Sequence, residues 1–370
     1  MDRVINFGAG PSALPEDVLK EAAKGLLNFE GTGIGVAEIS HRSKEFGACL
    51  SKLESLIRTL LEVPQTHSIL FTQGGGSAQF SAVVLNLLAR HRLLHPELKD
   101  DERIMDYVVT GSWSAKAAAE ARRLGGGPVN IVADSRNFSK NKKSFDNIPP
   151  HGDNDNAYNF SPNPALIYYC ENETVDGVQF AHDQASSASF PFHRLPKNAL
   201  LPLVGDHSSS FMSRKIPRLA DHAVIYAGAQ KNIGPAGLTI LIVRRDCIVD
   251  VDAAAKLGAS PVPVTMSYKI LADNGSLYNT PSTLSIYISG LVLQRMKEQG
   301  GLEIYAKANH AKQAKLYKAI EESEGVLRGK VSKDARSWMN IVFDADGDGA
   351  DARFLAGAET RGMKGMKGHR

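Results

Sequence analysis

The chain predicts an α/β protein built on a mostly parallel sheet, followed by a smaller α+β unit. Three observations carry this expectation. Short apolar, β-branched runs alternate with helix-like stretches from residue 68 to residue 242, the pattern of strands joined by helical crossovers. Those runs end in glycine-rich or polar turns, where open α/β sheets bind their ligands. Beyond residue 283 the pattern changes to two long helical stretches, one strand-like run and a Gly/Ala/Asp-rich remainder. The expected division is an entry segment over 1–15 that associates with the smaller unit, a large unit over 16–283 and a small unit over 284–370.

Taken in order, the Gly/Pro-rich residues 6–14 read as irregular, and Pro15-Glu16-Asp17 opens a helix running to residue 29, since proline and acids suit a first helical turn. An amphipathic helix is expected over 44–61 and a strand over 68–72. The run Gln73-Gly74-Gly75-Gly76-Ser77-Ala78-Gln79-Phe80 reads as a loop, with its helix over 81–89 and an exposed connection over 90–103. A strand over 104–110, a helix over 115–124 and a strand over 129–133 follow. Residues 134–164 read as a long excursion. Strands are expected over 165–170, 200–206 and 224–228. The strand over 236–244 follows so closely that it reads as an antiparallel partner. Residues 266–280 read as irregular, 284–299 and 302–323 as helices, 338–343 as a strand and 350–361 as a weak helix.

Bulk properties narrow the function. Of 370 residues, 43% are hydrophobic and 22% charged, ordinary values for a globular protein with a sizeable core. The formal net charge of +3 gives no argument for nucleic acid or an anionic membrane as partner. Cys49, Cys170 and Cys247 are scattered, which is neither a disulfide framework nor a zinc site. The N-terminus lacks a basic region followed by an apolar core, and no apolar run approaches a membrane span. The expectation is a cytoplasmic protein without a metal.

Several strand ends hold residues that could do chemistry. One strand ends in Asp206 and another leads to Lys231. An acid and an amine at one crevice suit a lysine Schiff base to pyridoxal 5'-phosphate, with the acid on the ring nitrogen. On these residues alone, two unrelated charges at loop mouths remain the alternative. Strand, glycine run and helix around Gly76 and Ser77 suit a phosphate held by backbone N–H groups, or else a tight packing turn. Trp113 between two serines could stack on a planar ring, or pack against a loop. His41 and Arg42 at a helix entry could bind an anion, or be a solvated basic pair.

The combination is more specific than its parts. Asn6-Phe7-Gly8-Ala9-Gly10-Pro11, Ser40-His41-Arg42-Ser43, Gln73-Gly74-Gly75-Gly76, Gly111-Ser112-Trp113-Ser114, Asn172-Glu173-Thr174-Val175-Asp176-Gly177, Ala227-Gly228-Ala229-Gln230-Lys231-Asn232, Tyr278-Asn279-Thr280-Pro281 and Gly368-His369-Arg370 together resemble the phosphoserine aminotransferase family. The resemblance covers nearly the whole chain. It implies a fold-type I pyridoxal-phosphate enzyme with a seven-stranded, mostly parallel sheet. It implies Lys231 as the Schiff-base lysine and proton shuttle, and Asp206 on the pyridine nitrogen. Trp113 would stack on the ring and Thr174 would hydrogen-bond its 3-oxygen. The backbone at Gly76 and Ser77, with Gln230, would hold the cofactor phosphate, and Asn279 and Thr280 would complete that site from the other subunit of a homodimer. His41, Arg42, His369 and Arg370 would surround the substrate phosphate, for which arginine forks are suited.

The implied reaction exchanges an amino group between O-phosphoserine and 2-oxoglutarate, giving 3-phosphooxypyruvate and glutamate, and belongs in reverse to serine biosynthesis. The sequence departs from the family pattern in a few places. It stops at Arg370, before the family's Gly-Gly-x-Arg segment and final helix, so a truncated small unit is expected. Ser77 stands where some relatives carry a basic residue and His207 where an apolar residue is more usual, and the stretches 94–103 and 181–198 read as insertions. The runner-up readings are another aminotransferase of this fold and a homologue that folds without turning over.

Overall fold

The computed structural model describes residues 3–152, 157–197 and 200–368. Its centre is a seven-stranded sheet. In chain order the strands are β1 (His67–Thr72), β2 (Met105–Val109), β3 (Val129–Asp134), β4 (Leu166–Cys170), β5 (Leu203–Asp206), β6 (Val224–Gly228) and β7 (Thr239–Arg244). Across the sheet they lie β1-β7-β6-β5-β4-β2-β3. Strand β7 runs antiparallel to both β6 and β1, and the other pairings are parallel. The seven-stranded, mostly parallel sheet with one antiparallel member is as expected. The parallel strands are buried along their whole length at β2, β4, β5 and β6, which explains their unbroken apolar runs.

Helices cover both faces unequally. On one face α3 (Gly75–Leu94) and α4 (Ser112–Leu124) pack through Val83, Leu87, Ala117 and Ala121 against Tyr168, Val204 and Tyr226. On the other, α1 (Glu16–Leu27), α2 (Lys44–Leu61) and, after the short helices α5 (Val251–Lys256) and α6 (Tyr268–Asp273), α7 (Thr283–Glu298) cover the β1-β7-β6 end. Among the described residues the rest of that face carries no α-helix. Phe180, Phe190, Phe192 and Leu195 cover Tyr169, Ile167 and Leu203, so the stretch expected as an insertion supplies core. After α7 come α8 (Gly301–Glu321), a hairpin of Leu327–Gly329 with Phe343–Ala345, and α9 (Ala350–Thr360). Ile5–Asn6 pairs in parallel with Met363–Lys364. Among the described residues no helix is long and apolar enough to cross a membrane.

Four local expectations are corrected. Helix α3 begins at Gly75, six residues before its expected start. Gly74 takes φ 93° and Gly75 φ 63°, and the Thr239 hydroxyl accepts from the Gly75 N–H at 2.9 Å, so the glycines form the helix entry rather than a free loop. The stretch 90–103 is not an exposed connection. Arg90, His91 and Arg103 are buried, and Arg103 donates to the carbonyls of His95 and Leu98 at 2.9 and 2.6 Å. Residues 268–273 form a helix, capped by the Ser267 hydroxyl. The strand expected over 338–343 begins only at Phe343. The Ser337 hydroxyl accepts from the N–H groups of Met339 and Asn340 at 3.0 and 2.9 Å, a serine turn that diverts the backbone from extended pairing.

Candidate active site

Adjacent parallel strands β5 and β6 deliver an acid and an amine to one end of the sheet. Asp206 is the last residue of β5 and is buried. Its Oδ1 accepts from the Ser208 N–H at 2.9 Å and its Oδ2 from the Tyr226 hydroxyl at 3.0 Å. The Tyr168 hydroxyl lies 3.4 Å from the same oxygen and 2.8 Å from that of Tyr226. Burial raises the carboxyl above its usual range, while these donors and the positive charge of Lys231 pull it back. Burial lowers the Lys231 amine and the Asp206 charge opposes that shift. The two groups therefore sense each other, although each follows its own desolvation first.

The N-terminal segment closes over the lysine. Ser12 donates through its hydroxyl to the Lys231 carbonyl and through its N–H to the Gln230 carbonyl. Gly10 passes so close that a Cβ there would stand 2.6 Å from Lys231 Cδ and 2.9 Å from Nζ. On the other side, a Cβ at Gly76 would stand 3.8 Å from Asp206 Oδ2, which puts the start of α3 over the acid. Its N-cap, Gly74, offers no side-chain cap, so the N–H groups of Gly76 and Ser77 lack intrahelical partners, as in any first turn.

Trp113 occupies the first turn of α4. Thr174 is half-buried in the turn between the short strands Asn172–Glu173 and Val178–Gln179. The Glu173 carboxylate ties these elements together, accepting from the Trp113 N–H at 2.8 Å and the Ser114 N–H at 2.9 Å. From the same turn, the Asn172 amide donates to the Ser209 hydroxyl at 2.7 Å, and the Asn232 amide donates to the Ser209 carbonyl at 3.1 Å. Hydrogen bonds thus connect the turn bearing Thr174 with the segments that follow Asp206 and Lys231.

The remaining residues stand apart. Asn279 and Thr280 are exposed, and the Gln73 amide donates to the Thr280 carbonyl at 3.4 Å, beside the glycine run of the same chain. His41 is buried and Arg42 exposed at the entry of α2. Among the described residues no hydrogen bond or ion pair links either of them to Asp206 or Lys231. His369 and Arg370 lie outside the described residues. Reading the sequence assigned no role to Tyr168, Tyr226, Ser12 or Glu173. A signal existed for the tyrosines, because a hydroxyl in a fully apolar strand needs a buried partner. None existed for the others, whose partners are far along the chain.

The geometry fits pyridoxal 5'-phosphate. A buried acid and a desolvated amine stand close enough to shift each other, Gly10 and Gly76 lie against them, and an uncapped helix start is at hand for an anion. Comparisons with known proteins agree. The family model of class-V aminotransferases matches residues 4–360. The phosphoserine aminotransferase of Ectopseudomonas mendocina is 44% identical over 368 residues, covering 100% of this chain and 90% of that protein. That of Pseudomonas entomophila is 42% identical with the same coverage. Among solved structures, phosphoserine aminotransferase from Bacillus circulans subsp. alkalophilus superposes with a TM-score of 0.83 at 34% identity, covering 100% of this chain and 91% of that one. The pyridoxal-phosphate-bound enzyme from Trichomonas vaginalis gives 0.81 at 33% identity, covering 99% and 92%. The chain spans about nine-tenths of the length of these relatives. Matched along nearly its whole length by the family model, with an acid and a lysine facing each other at neighbouring strand ends, this chain belongs to the class-V aminotransferases.

Proposed function

We propose that this aminotransferase works with pyridoxal 5'-phosphate and exchanges the amino group between O-phosphoserine and 2-oxoglutarate, forming 3-phosphooxypyruvate and glutamate. The observation that carries the reading is the 44% identity to a phosphoserine aminotransferase across the whole chain, and the Asp206–Lys231 pair supports it. When bound, the cofactor supplies an electrophilic carbonyl and a ring that withdraws electrons from the substrate Cα. Asp206 would hold the ring nitrogen and keep it protonated. Its hydroxyl donors from Tyr226 and Tyr168 keep the buried charge tolerable. Lys231 carries a proton to and from the substrate Cα, and its lowered basicity raises the share of free amine available for that work.

Trp113 and Thr174 would hold the ring. The N–H groups of Gly76 and Ser77, with Gln230, would hold the cofactor phosphate, and Asn279 and Thr280 would complete that site for the partner in a homodimer. His41, Arg42, His369 and Arg370 receive the phosphate of the substrate. The relatives do not favour a different aminotransferase. The test is a single-turnover comparison of O-phosphoserine with serine. The expected preference for the phosphorylated substrate is on the order of 10²-fold or more, because unfilled buried polar sites penalise a truncated substrate. Equal rates for the two would refute the substrate assignment.

A further inference from the structure

Helix α4 is capped in an unusual way. Its N-cap, Gly111, has no side chain, and the helix begins with three consecutive residues whose N–H groups all meet carboxylates from a turn some sixty residues later. Asp176 accepts from the Ser112 N–H at 2.7 Å and the Ser112 hydroxyl at 3.1 Å. Glu173 accepts from the Trp113 N–H at 2.8 Å, the Ser114 N–H at 2.9 Å and the Ser114 hydroxyl at 2.5 Å. A helix start is ordinarily satisfied by the residue that precedes it. Here Gly111 makes room for the distant acid instead, because a Cβ at that position would stand 2.3 Å from Glu173 Cγ.

The arrangement is costly, which argues that it does more than cap. Glu173 is fully buried with 0% exposure, and no cation makes an ion pair with it among the described residues. A serine N-cap would satisfy one of these N–H groups from the adjoining residue without burying a charge. What the distant acids add is a fixed distance. They flank Thr174 on its own turn and grip the backbone of Trp113 on another element. Lys116 rests over the indole, with Nζ 4.4 Å from the ring centroid.

We propose that Glu173, assisted by Asp176, is a positioning residue that sets the indole of Trp113 against Thr174 and so fixes the width of the slot a planar cofactor ring enters. This rests on the cofactor reading given above. It assigns no proton transfer and no direct contact with the ring to Glu173.

The chain has two tryptophans, so W338F leaves Trp113 as the sole emitter. In that background the full-length protein, stripped of cofactor, is compared with its E173Q, D176N and S114A variants by emission maximum, anisotropy and acrylamide quenching. Pyridoxal 5'-phosphate affinity is then measured on each. For E173Q the expected result is a red-shifted, more mobile and more quenchable Trp113. Its cofactor Kd should rise about 10-fold, the equivalent of one charge-assisted hydrogen bond. D176N and S114A should shift in the same direction by less. A ring that stays as rigid and as shielded in E173Q as in the parent, whatever happens to the melting temperature, shows a plain helix cap and overturns the proposal. If E173Q does not fold, S114A decides on the same readouts. Parent protein that takes up no pyridoxal 5'-phosphate overturns the cofactor reading, while the emission data still decide whether Glu173 positions Trp113.

Discussion

Asp206 and His207 are consecutive, both buried, and lie on opposite faces at the same end of the sheet. On one face Asp206 meets Tyr168, Tyr226 and the field of Lys231. On the other, His207 Nε2 meets the Tyr169 hydroxyl at 3.2 Å, and that hydroxyl also meets His222 Nε2 at 2.7 Å. His67 Nε2 lies 2.8 Å from the His222 carbonyl. Burial dominates on both faces and works in opposite directions. It raises the acids, Asp206 in direction and Glu173 up to about 7. It lowers the imidazoles, His207 well below its usual range and His222 to about 4. The lesson is that burial alone does not mark a working site. The acid face adds an amine and an uncapped helix start, whereas the imidazole face is filled by Phe180, Phe190 and Phe192.

The largest expected effect breaks the acid face. Lys231→Ala should lower turnover by at least ~10³-fold, the scale of a lost proton carrier. Asp206→Asn should follow with a loss of roughly 10²-fold and weaker cofactor retention. Both are read from steady-state rates and cofactor absorbance. The same face should also show in stability against pH. With Glu173 raised to about 7 when folded against an ordinary 4.5, the folded state holds the extra proton between those values. That contribution is full below about 4.5 and falls away as pH rises toward 7, by about 3 kcal/mol at most. His222, lowered from 6.5 to about 4, acts the other way, its contribution being full above 6.5 and lost as pH falls toward 4, again by about 3 kcal/mol at most. The two slopes oppose each other between 4.5 and 6.5. Denaturant titrations of E173Q should therefore reveal stability rising with pH across that window. An unchanged slope would show that Glu173 is not the opposing group.

The smallest expected effect falls on the filled face. His207→Leu should change turnover by less than about twofold, while leaving the Tyr169 hydroxyl one partner poorer and costing about 1–2 kcal/mol of stability. A loss of turnover matching that of Asp206→Asn would merge the two faces into one functional unit and end the contrast.

Much of this was legible in the sequence wherever chemistry is local. The apolar runs of β4, β5 and β6 identified a buried parallel sheet. The tight spacing before β7 identified its antiparallel member, and the proline and acids at 15–17 identified the start of α1. Asp206 and Lys231 were legible because strand ends in such sheets face one crevice. Illegible were features settled by distant partners. The glycines before α3 read as loop because nothing nearby announced the Thr239 hydroxyl. Arg103 read as exposed because its acceptors are backbone carbonyls, which carry no sequence signal. Trp338 read as strand because its β-propensity is high, while the Ser337 turn and the bond from its N–H to Gln179 Oε1 at 2.8 Å decided otherwise. Glu173 stood within a quoted motif, yet its grip on α4 depends on the absence of a side chain at Gly111, which only the folded contact makes meaningful.

The central claim is that Lys231, desolvated and opposite Asp206, is the amine that holds the cofactor. The most direct measurement is to load the purified chain with pyridoxal 5'-phosphate, reduce it with borohydride and map the peptides. The protein should be yellow and bleach on reduction, with a label on Lys231 that is lost in Lys231→Ala. Labelling spread over surface lysines, or none at all, would contradict it.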